Sequence, residues 1–138
     1  VQKVQAPEGQ EVAVFKATIG AEVTEYIVYH KGDTITKVVI KAHRSFEKFG
    51  KSKDTLLKQE KIFTEEDVKE RKEKYSSVDG ISISYEVNGY TVTTIEEFDY
   101  TKIDFAKLKE IDPKSELFTS FSEMKSDFEN QAIFEQVQ

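Results

Sequence analysis

The stretch ISISYEVN, residues 81–88, constrains the fold more than any other part of the chain. Its apolar and polar residues alternate strictly, which is the period of a strand with one buried face. The dipeptide Asn88-Gly89 follows, and Asn-Gly favours a two-residue hairpin loop. That loop predicts cross-strand pairs of Val87 with Tyr90 and of Tyr85 with Val92, so both tyrosines should pack against a helix. The sequence therefore predicts an antiparallel hairpin here.

Three earlier segments also have the pattern of strands: EVAVFKATI, EVTEYIVYH and TITKVVIKAH. The links between them are short and contain Gly20 and Gly32, so the simplest arrangement is a three-stranded antiparallel meander. Tyr26 and Tyr29 fall on opposite faces of the second strand, and the pattern leaves open which face is buried.

The turn Lys31-Gly32-Asp33 can be interpreted as a ligand-gripping loop or as a hairpin bend. A phosphate-binding loop would need more glycine and a helix immediately after it, whereas a strand follows here. We therefore interpret Gly32 and Asp33 as structural turn residues, in the same way as Asn88 and Gly89.

The balance of apolar residues also favours a sheet. Val and Ile total 24 residues, whereas Leu and Met total 5. Branched side chains suit a pleated surface, and Leu and Met are the usual filling of helical bundles. With 138 residues, the chain fits one domain over residues 11–138, preceded by a flexible tail over residues 1–10.

Helices are predicted at three places. The segment TEEDVKERKEKY should form one helix capped by Thr64, with acidic residues at its start and Lys72 and Lys74 near its end. The segment before it, residues 44–63, is compatible with a strand or a helix.

The other two helices lie near the C terminus. Asp104 can cap a short helix that ends before Pro113, and Ser122 can cap a last helix carrying Met124 and Phe128. A final strand over AIFEQV gives the order β-β-β-α-β-β-α-α-β. This order predicts an α+β fold: an antiparallel sheet of a meander plus a hairpin, with helices packed on one face.

Composition argues against several classes of function. The formal net charge of −6 disfavours nucleic acid and anionic membrane surfaces as partners, because both require clustered cations. The chain has no cysteine, so disulfides and thiolate sites are impossible. It has no apolar run of the roughly 20 residues that a membrane helix needs.

No set of residues forms a recognisable catalytic or metal site. Glu96 falls on one strand face and Glu97 and Asp99 on the other, as expected of solvating carboxylates. His30 and His43 should lie far apart in the meander, so they cannot share one metal ion. We therefore expect no catalytic residue, no cofactor, no metal and no enzymatic activity.

Four segments, taken in order, resemble the YehR-like bacterial lipoproteins, a domain family of unknown function. They are YHKGDTITK, KYSSVDGI, FDYTKIDFAKLKEI and SEMKSDFENQAIFEQV. The chain departs from that family at Asn130–Ala132, where a glycine is common, and in the longer segment Ser45–Phe63.

The resemblance implies an extracytoplasmic domain, held to the bacterial membrane by a lipidated N-terminal cysteine that this chain lacks. It implies no catalytic residues. We therefore expect a monomeric, non-enzymatic binding or structural module whose partner is an unknown protein or envelope component. The alternative expectation is a carrier that holds a small or peptide-like ligand in a pocket between sheet and helices.

Overall fold

The computed structural model describes residues 3–115 and 117–138, which form an α+β fold with three helices against a six-stranded antiparallel sheet. The strands are β1 (Glu11–Ile19), β2 (Glu22–Lys31), β3 (Thr34–Ser45), β4 (Ile81–Asn88), β5 (Thr91–Asp99) and β6 (Phe134–Gln136). The helices are α1 (Lys53–Lys74), α2 (Phe105–Ile111) and α3 (Phe121–Asn130), and a short 3-10 turn, Gly50–Ser52, precedes α1. The predicted fold class and element order are confirmed.

The spatial order of the strands is β4-β5-β3-β2-β1-β6. Strands β1, β2 and β3 form the predicted meander, and β3 also pairs with β5, which joins the β4–β5 hairpin to it. None of the helices in the described residues has the length and hydropathy of a membrane span.

The three tight hairpins share one turn chemistry. Each two-residue loop begins with a glycine at φ of about +60°: Gly20 at 59°, Gly32 at 58° and Gly89 at 60°. No non-glycine residue in the described ranges has positive φ, so the second loop residue has negative φ. A glycine with positive φ followed by a residue with negative φ is the type II′ turn, which matches the twist of the strands.

The loop of the second hairpin lies one residue later than predicted, which shifts the cross-strand register by two residues. Its loop is Gly89-Tyr90, Asn88 ends β4 opposite Thr91, and Val87 lies opposite Val92. The predicted Asn88-Gly89 loop would require positive φ at asparagine as well as at glycine. The type II′ turn requires it only at Gly89, where it costs least.

The predicted start of the first helix is also wrong. Helix α1 begins at Lys53, so the ambiguous segment is largely helical. Thr64, predicted as the N-cap, is buried in the middle of α1 and donates its hydroxyl to Glu60 Oε1 at 3.4 Å. A threonine can bond the preceding turn in this way without ending the helix.

The caps of the later helices are partly as predicted. Asp104 caps α2, accepting the Lys107 N–H at 3.1 Å. Helix α3 starts two residues earlier than predicted, because Ser120 rather than Ser122 caps it by accepting the Glu123 N–H. Met124 and Phe128 are buried as expected, and β6 occupies the predicted terminal strand.

All three helices pack on the same side of the sheet, which we call the covered face. Under α3 lies a cluster of Phe15, Val28, Val38, Met124 and Phe128. Under α2 lies a second cluster, which includes Phe98, Ile103 and Leu108. The opposite side, the open face, has a smaller apolar cluster of Val14, Ile27 and Val39. Tyr26 packs against the first cluster and Tyr29 against the third, which settles their faces.

Candidate functional site

The turn at Gly32-Asp33 is fastened to the start of α3. Asp33 accepts the Ser120 hydroxyl at 2.6 Å and the Ser122 N–H at 2.7 Å, and its carbonyl accepts the Phe121 N–H at 2.7 Å. These bonds, led by the one from Ser120, lower the pKa of the Asp33 carboxyl. The carboxylate thus serves as a cap for a helix that lies far away in sequence.

His30 completes this anchorage. Its Nδ1 lies 2.8 Å from the Gly32 carbonyl oxygen, and its ring stacks on Phe121 with centroids 3.7 Å apart. The side chains of His30 and Asp33 are therefore engaged within the fold.

The tyrosines of the second hairpin lie beside α1, as predicted, but neither is buried. Tyr85 is 36% exposed. Tyr90 lies in the turn, donates its hydroxyl to Asp54 at 2.7 Å and has Lys53 Nζ 4.5 Å from its ring centroid. Their positions follow from the shifted register, which removes Tyr90 from the strand.

The two histidines lie on opposite faces of the sheet. His30 packs on α3 at the covered face, whereas His43 shares the open face with Glu25 and Thr93. His43 is paired with Val23, seven residues before His30 on β2, so the two lie about 23 Å apart at roughly 3.3 Å per residue. In the described ranges, no group of three or more acidic or imidazole side chains could hold a metal ion.

His43 forms the centre of a hydrogen-bonded chain across three strands. Its Nδ1 lies 2.8 Å from Thr93 Oγ1, and its Nε2 lies 2.7 Å from Glu25 Oε1. A hydroxyl, an imidazole and a carboxylate in this order resemble a nucleophilic triad. Thr93, however, is only 5% exposed, so a substrate carbonyl has no approach to its oxygen. These hydrogen bonds are better explained as a structural link between strands β2, β3 and β5.

The most distinctive polar site is a cleft between α1 and the covered face, which we call the sheet–helix cleft. At one end Arg44, from β3, contacts Glu60 on α1 at 2.8 Å and Glu22 on β2 at 3.3 Å. Burial alone would lower the pKa of the Arg44 guanidinium, but the two carboxylates more than offset this and the net shift is upward.

The other end of the cleft repeats this arrangement. Arg71, from α1, contacts Glu96 on β5 at 2.6 Å and Asp67 at 3.9 Å. Burial again opposes the charge, and the hydrogen bond to Glu96 contributes most to the raised pKa of the Arg71 guanidinium. Tyr26 lies two strands from Glu96 on the same face of the sheet, and burial and then the charge of Glu96 raise the pKa of its hydroxyl.

The cleft encloses about 290 Å³. Thr64 and Thr94 add hydroxyls to its walls, and Phe63 lies at the rim with 69% of its surface exposed. Four carboxylates surround two guanidinium groups, so the cleft carries an excess of negative charge.

A larger, shallower groove of about 550 Å³ lies at the open face. Residues 3–10, predicted as part of a flexible tail, form one wall: Val4 exchanges hydrogen bonds with the Gln138 side chain, and Thr36 donates to Gln10 at 2.7 Å. The charged Lys37 in this groove is paired with Glu97 at 2.5 Å.

The carboxylates singled out from the sequence separate as alternation predicts. Glu96 points into the sheet–helix cleft, whereas Glu97 pairs with Lys37 on the open face. Asp99 accepts the Thr101 hydroxyl at 2.6 Å, and that bond is the main cause of its lowered pKa. The three carboxylates therefore do not form one site.

Three further residues of the sheet–helix cleft were not predicted from the sequence: Arg44, Glu60 and Arg71. A signal was present, because Glu60, Thr64, Asp67 and Arg71 follow the spacing of one helical face. It could be used only after the helix was known to start at Lys53.

The fold has known counterparts. The chain is similar to the NMR structure of the Escherichia coli YehR protein, with a TM-score of 0.61, 18% identity, and coverage of 93% of this chain and 91% of that one. It is also similar to the NMR structure of a protein from Streptococcus pneumoniae TIGR4, with a TM-score of 0.59, 14% identity, and coverage of 99% and 91%. No protein-family model and no curated protein matches the chain. The chain shares the fold of these two bacterial proteins.

Proposed function

We propose that the chain is a non-enzymatic binding module that holds a cationic, peptide-like ligand in the sheet–helix cleft. The observation that carries this proposal is the double arrangement of Arg44 and Arg71, each shared by two carboxylates where a helix would ordinarily pack on apolar side chains. Of the two expectations from the sequence, this site favours the carrier with a pocket between sheet and helices.

The charge of the cleft supports a cationic ligand. Each guanidinium can neutralise one carboxylate, so the less closely held partners, Glu22 at 3.3 Å and Asp67 at 3.9 Å, remain available to an ammonium group. A ligand charge held between partly buried carboxylates is screened less than one at the surface. The exposed Phe63 ring at the rim offers a face for an aliphatic stem or a cation.

The arrangement also supports binding rather than catalysis. The Thr64 hydroxyl is engaged with Glu60, and each arginine already holds a carboxylate. A general base or nucleophile must instead be free to reach its substrate.

A titration followed by amide NMR tests the site. Trilysine should shift the amide signals of residues lining the cleft, including Arg44, Thr64 and Thr94, whereas triglutamate should not. The double change Glu22→Gln and Asp67→Asn should weaken trilysine binding roughly 10- to 100-fold, since a hydrogen bond to a charged group contributes about 1.5–3 kcal/mol.

The double change Glu66→Gln and Glu70→Gln is the matched control, because both residues are exposed on α1 outside the cleft. An equal loss in this control would show that trilysine senses only the overall negative charge. Shifts confined to Tyr29, Lys37 and Thr101 would move the site to the open-face groove.

We further propose that the natural precursor is an extracytoplasmic lipoprotein anchored to the bacterial membrane. Support comes from the resemblance of the four segments to the YehR-like lipoproteins. Metabolic labelling with a fatty acid and cell fractionation should place the precursor, lipidated, in the membrane fraction. Finding it unlipidated in the cytoplasm would contradict the location without affecting the cleft.

A further inference from the structure

Strand β4 is an unprotected edge of the sheet. Asn88 and Thr91 close a two-residue hairpin, so these two residues exchange both backbone hydrogen bonds, as do alternate pairs along the ladder. The even-numbered residues of β4 therefore bond to β5. The N–H and C=O groups of Ile81, Ile83, Tyr85 and Val87 point outward, and no strand in the described residues pairs with them.

The two edge strands of the sheet differ in length and in their protection against pairing. Strand β6, at the other edge, has only three residues. Strand β4 has eight residues, a continuous register, and no lysine, proline or bulge, which are the usual devices against edge pairing. Its exposed apolar residues, Tyr85 at 36% and Val87 at 37%, lie along this edge.

We propose that β4 pairs antiparallel with β4 of a second copy of this chain, about a two-fold axis at Ser84. This register places Tyr85 opposite Ile83 of the second copy and Val87 opposite Ile81, so apolar residues meet on the covered face. On the open face it places Ser82 opposite Glu86. All four outward-pointing residues then exchange both of their backbone hydrogen bonds. This proposal departs from the monomer expected from the sequence and is independent of the proposed ligand.

The flank of α1 above this edge fits a second copy of itself. A depression of about 400 Å³ lies beside Tyr85, lined on α1 by Leu57, Lys58, Lys61, Ile62 and Glu65. A two-fold axis makes the two helices antiparallel, so Lys58 and Lys61 of one copy face Glu65 of the other. Ile62, 56% exposed in one chain, would be covered.

The spacing between the helices is also suitable. Helix α1 lies over both β4 and β5, so it is set back from the axis by about one strand spacing, roughly 4.8 Å. The two copies of α1 would then lie about 10 Å apart, the upper end of normal helix packing. The sheet–helix cleft lies on the other flank of α1 and stays open.

A single introduced cysteine tests the register, because the chain has none of its own. At the axis, Ser84 and its copy form a non-hydrogen-bonded pair with Cα atoms about 4.5 Å apart, which a disulfide can span. Ser84→Cys should form a covalent dimer under mild oxidation. Ser82→Cys is the matched control: its two copies would lie four positions apart, about 13 Å, and should stay uncrosslinked.

Sedimentation of the unmodified chain should show a reversible dimer, and Val87→Lys should weaken it at least tenfold. Circular dichroism of each variant, with the cysteine variants reduced, checks that it is folded. A monomer at every concentration, or crosslinking by Ser82→Cys as readily as by Ser84→Cys, would overturn the proposal. A dimer that Ser84→Cys fails to crosslink would overturn it too, because the interface would then lie elsewhere.

Discussion

The covered face of the sheet is closed in two different ways. Under α3 the contacts are apolar, with the Phe15 and Phe128 rings 4.9 Å apart and both residues almost fully buried. Under α1 the buried Val68 is accompanied by the ion pair of Arg71 and Glu96, whose side chains keep 27% and 20% exposure. The same sheet thus carries a dry half and a charged half.

The two halves should contribute differently to stability. Burial of apolar surface stabilises by about 25 cal/mol per Å², whereas the desolvation of an ion pair roughly cancels its attraction. The α3 half should therefore supply most of the stability. The charged half contributes less than an apolar one would, which supports a binding role for the sheet–helix cleft.

Two phenylalanine substitutions, one in each half, should differ most in their effect on stability. Phe128→Ala should cost about 3–5 kcal/mol of unfolding free energy, because it leaves a cavity between α3 and the sheet. Phe63→Ala should change stability by less than about 0.5 kcal/mol, since Phe63 is largely exposed. Urea denaturation of both variants measures the difference. Equal costs would mean that α1 is packed as tightly as α3.

Glycine substitutions at the turns of the two halves should differ in their cost to stability, for steric reasons. Gly32→Val should cost about 1–3 kcal/mol, as should Gly89→Val, because a branched residue resists positive φ. Nothing lies within 4 Å of a Cβ at Gly32, whereas at Gly80 it would lie 2.8 Å from the Asp99 carbonyl oxygen. Gly80→Val should therefore cost more than Gly32→Val in thermal melts. If Gly32→Val were fully stable but lost binding, the turn would be a recognition loop after all.

A single change in the cleft should have a smaller effect. Glu96→Gln should cost about 1–2 kcal/mol, since it leaves the Arg71 guanidinium with a neutral partner in a half-buried position. Glu66→Gln, exposed on the same helix, should stay within about 0.5 kcal/mol of the unmodified chain. A loss near 4 kcal/mol for Glu96→Gln would indicate a fully buried, structural pair.

A pH-dependent effect concerns two tyrosines that lie between the halves. Burial raises the pKa of Tyr100 to about 12, and burial together with the hydrogen bond to Asp112 raises that of Tyr75 to about 12. Because the neutral form is favoured in the folded state, this stabilisation is complete below pH 10 and is lost as the pH rises through about 12. Tyrosinate absorbance should show Tyr75 and Tyr100 ionising near pH 12.

The same tyrosines differ in their hydroxyl partners. No described residue accepts the buried Tyr100 hydroxyl, so Tyr100→Phe should leave stability unchanged or raise it by up to about 1 kcal/mol. Tyr75→Phe loses its bond to Asp112 and should not raise stability. A clear loss in Tyr100→Phe would mean that its hydroxyl has a partner.

Local alternation was sufficient to predict the strands and their order. Alternation did not fix the turn of the second hairpin, because two local signals compete there. Asn88-Gly89 favours a loop with positive φ at both residues, whereas a single glycine favours a type II′ turn. Only the backbone angles decide between them. The prediction of Thr64 as an N-cap was wrong for a similar reason, because a good N-cap residue also fits a buried helical position. The prediction of an antiparallel sheet was still correct, since neither error changes which segments are extended.

The site was largely out of reach of the sequence because it is built from long-range contacts. Arg44 and Glu60 come from different elements, and their pairing depends on where α1 crosses the sheet. The link from Asp33 to Ser120 spans 87 positions along the chain. Only Glu96 was singled out beforehand, from its strand face alone.

We infer that the ion pairs under α1 are kept for binding rather than for stability. The double change Arg71→Met and Glu96→Met tests it most directly, because apolar side chains of similar size replace both charges. Urea denaturation should give an unfolding free energy within about 1 kcal/mol of the unmodified chain, or above it. A loss of about 3 kcal/mol or more would contradict the claim, since the pair would then be holding the fold together.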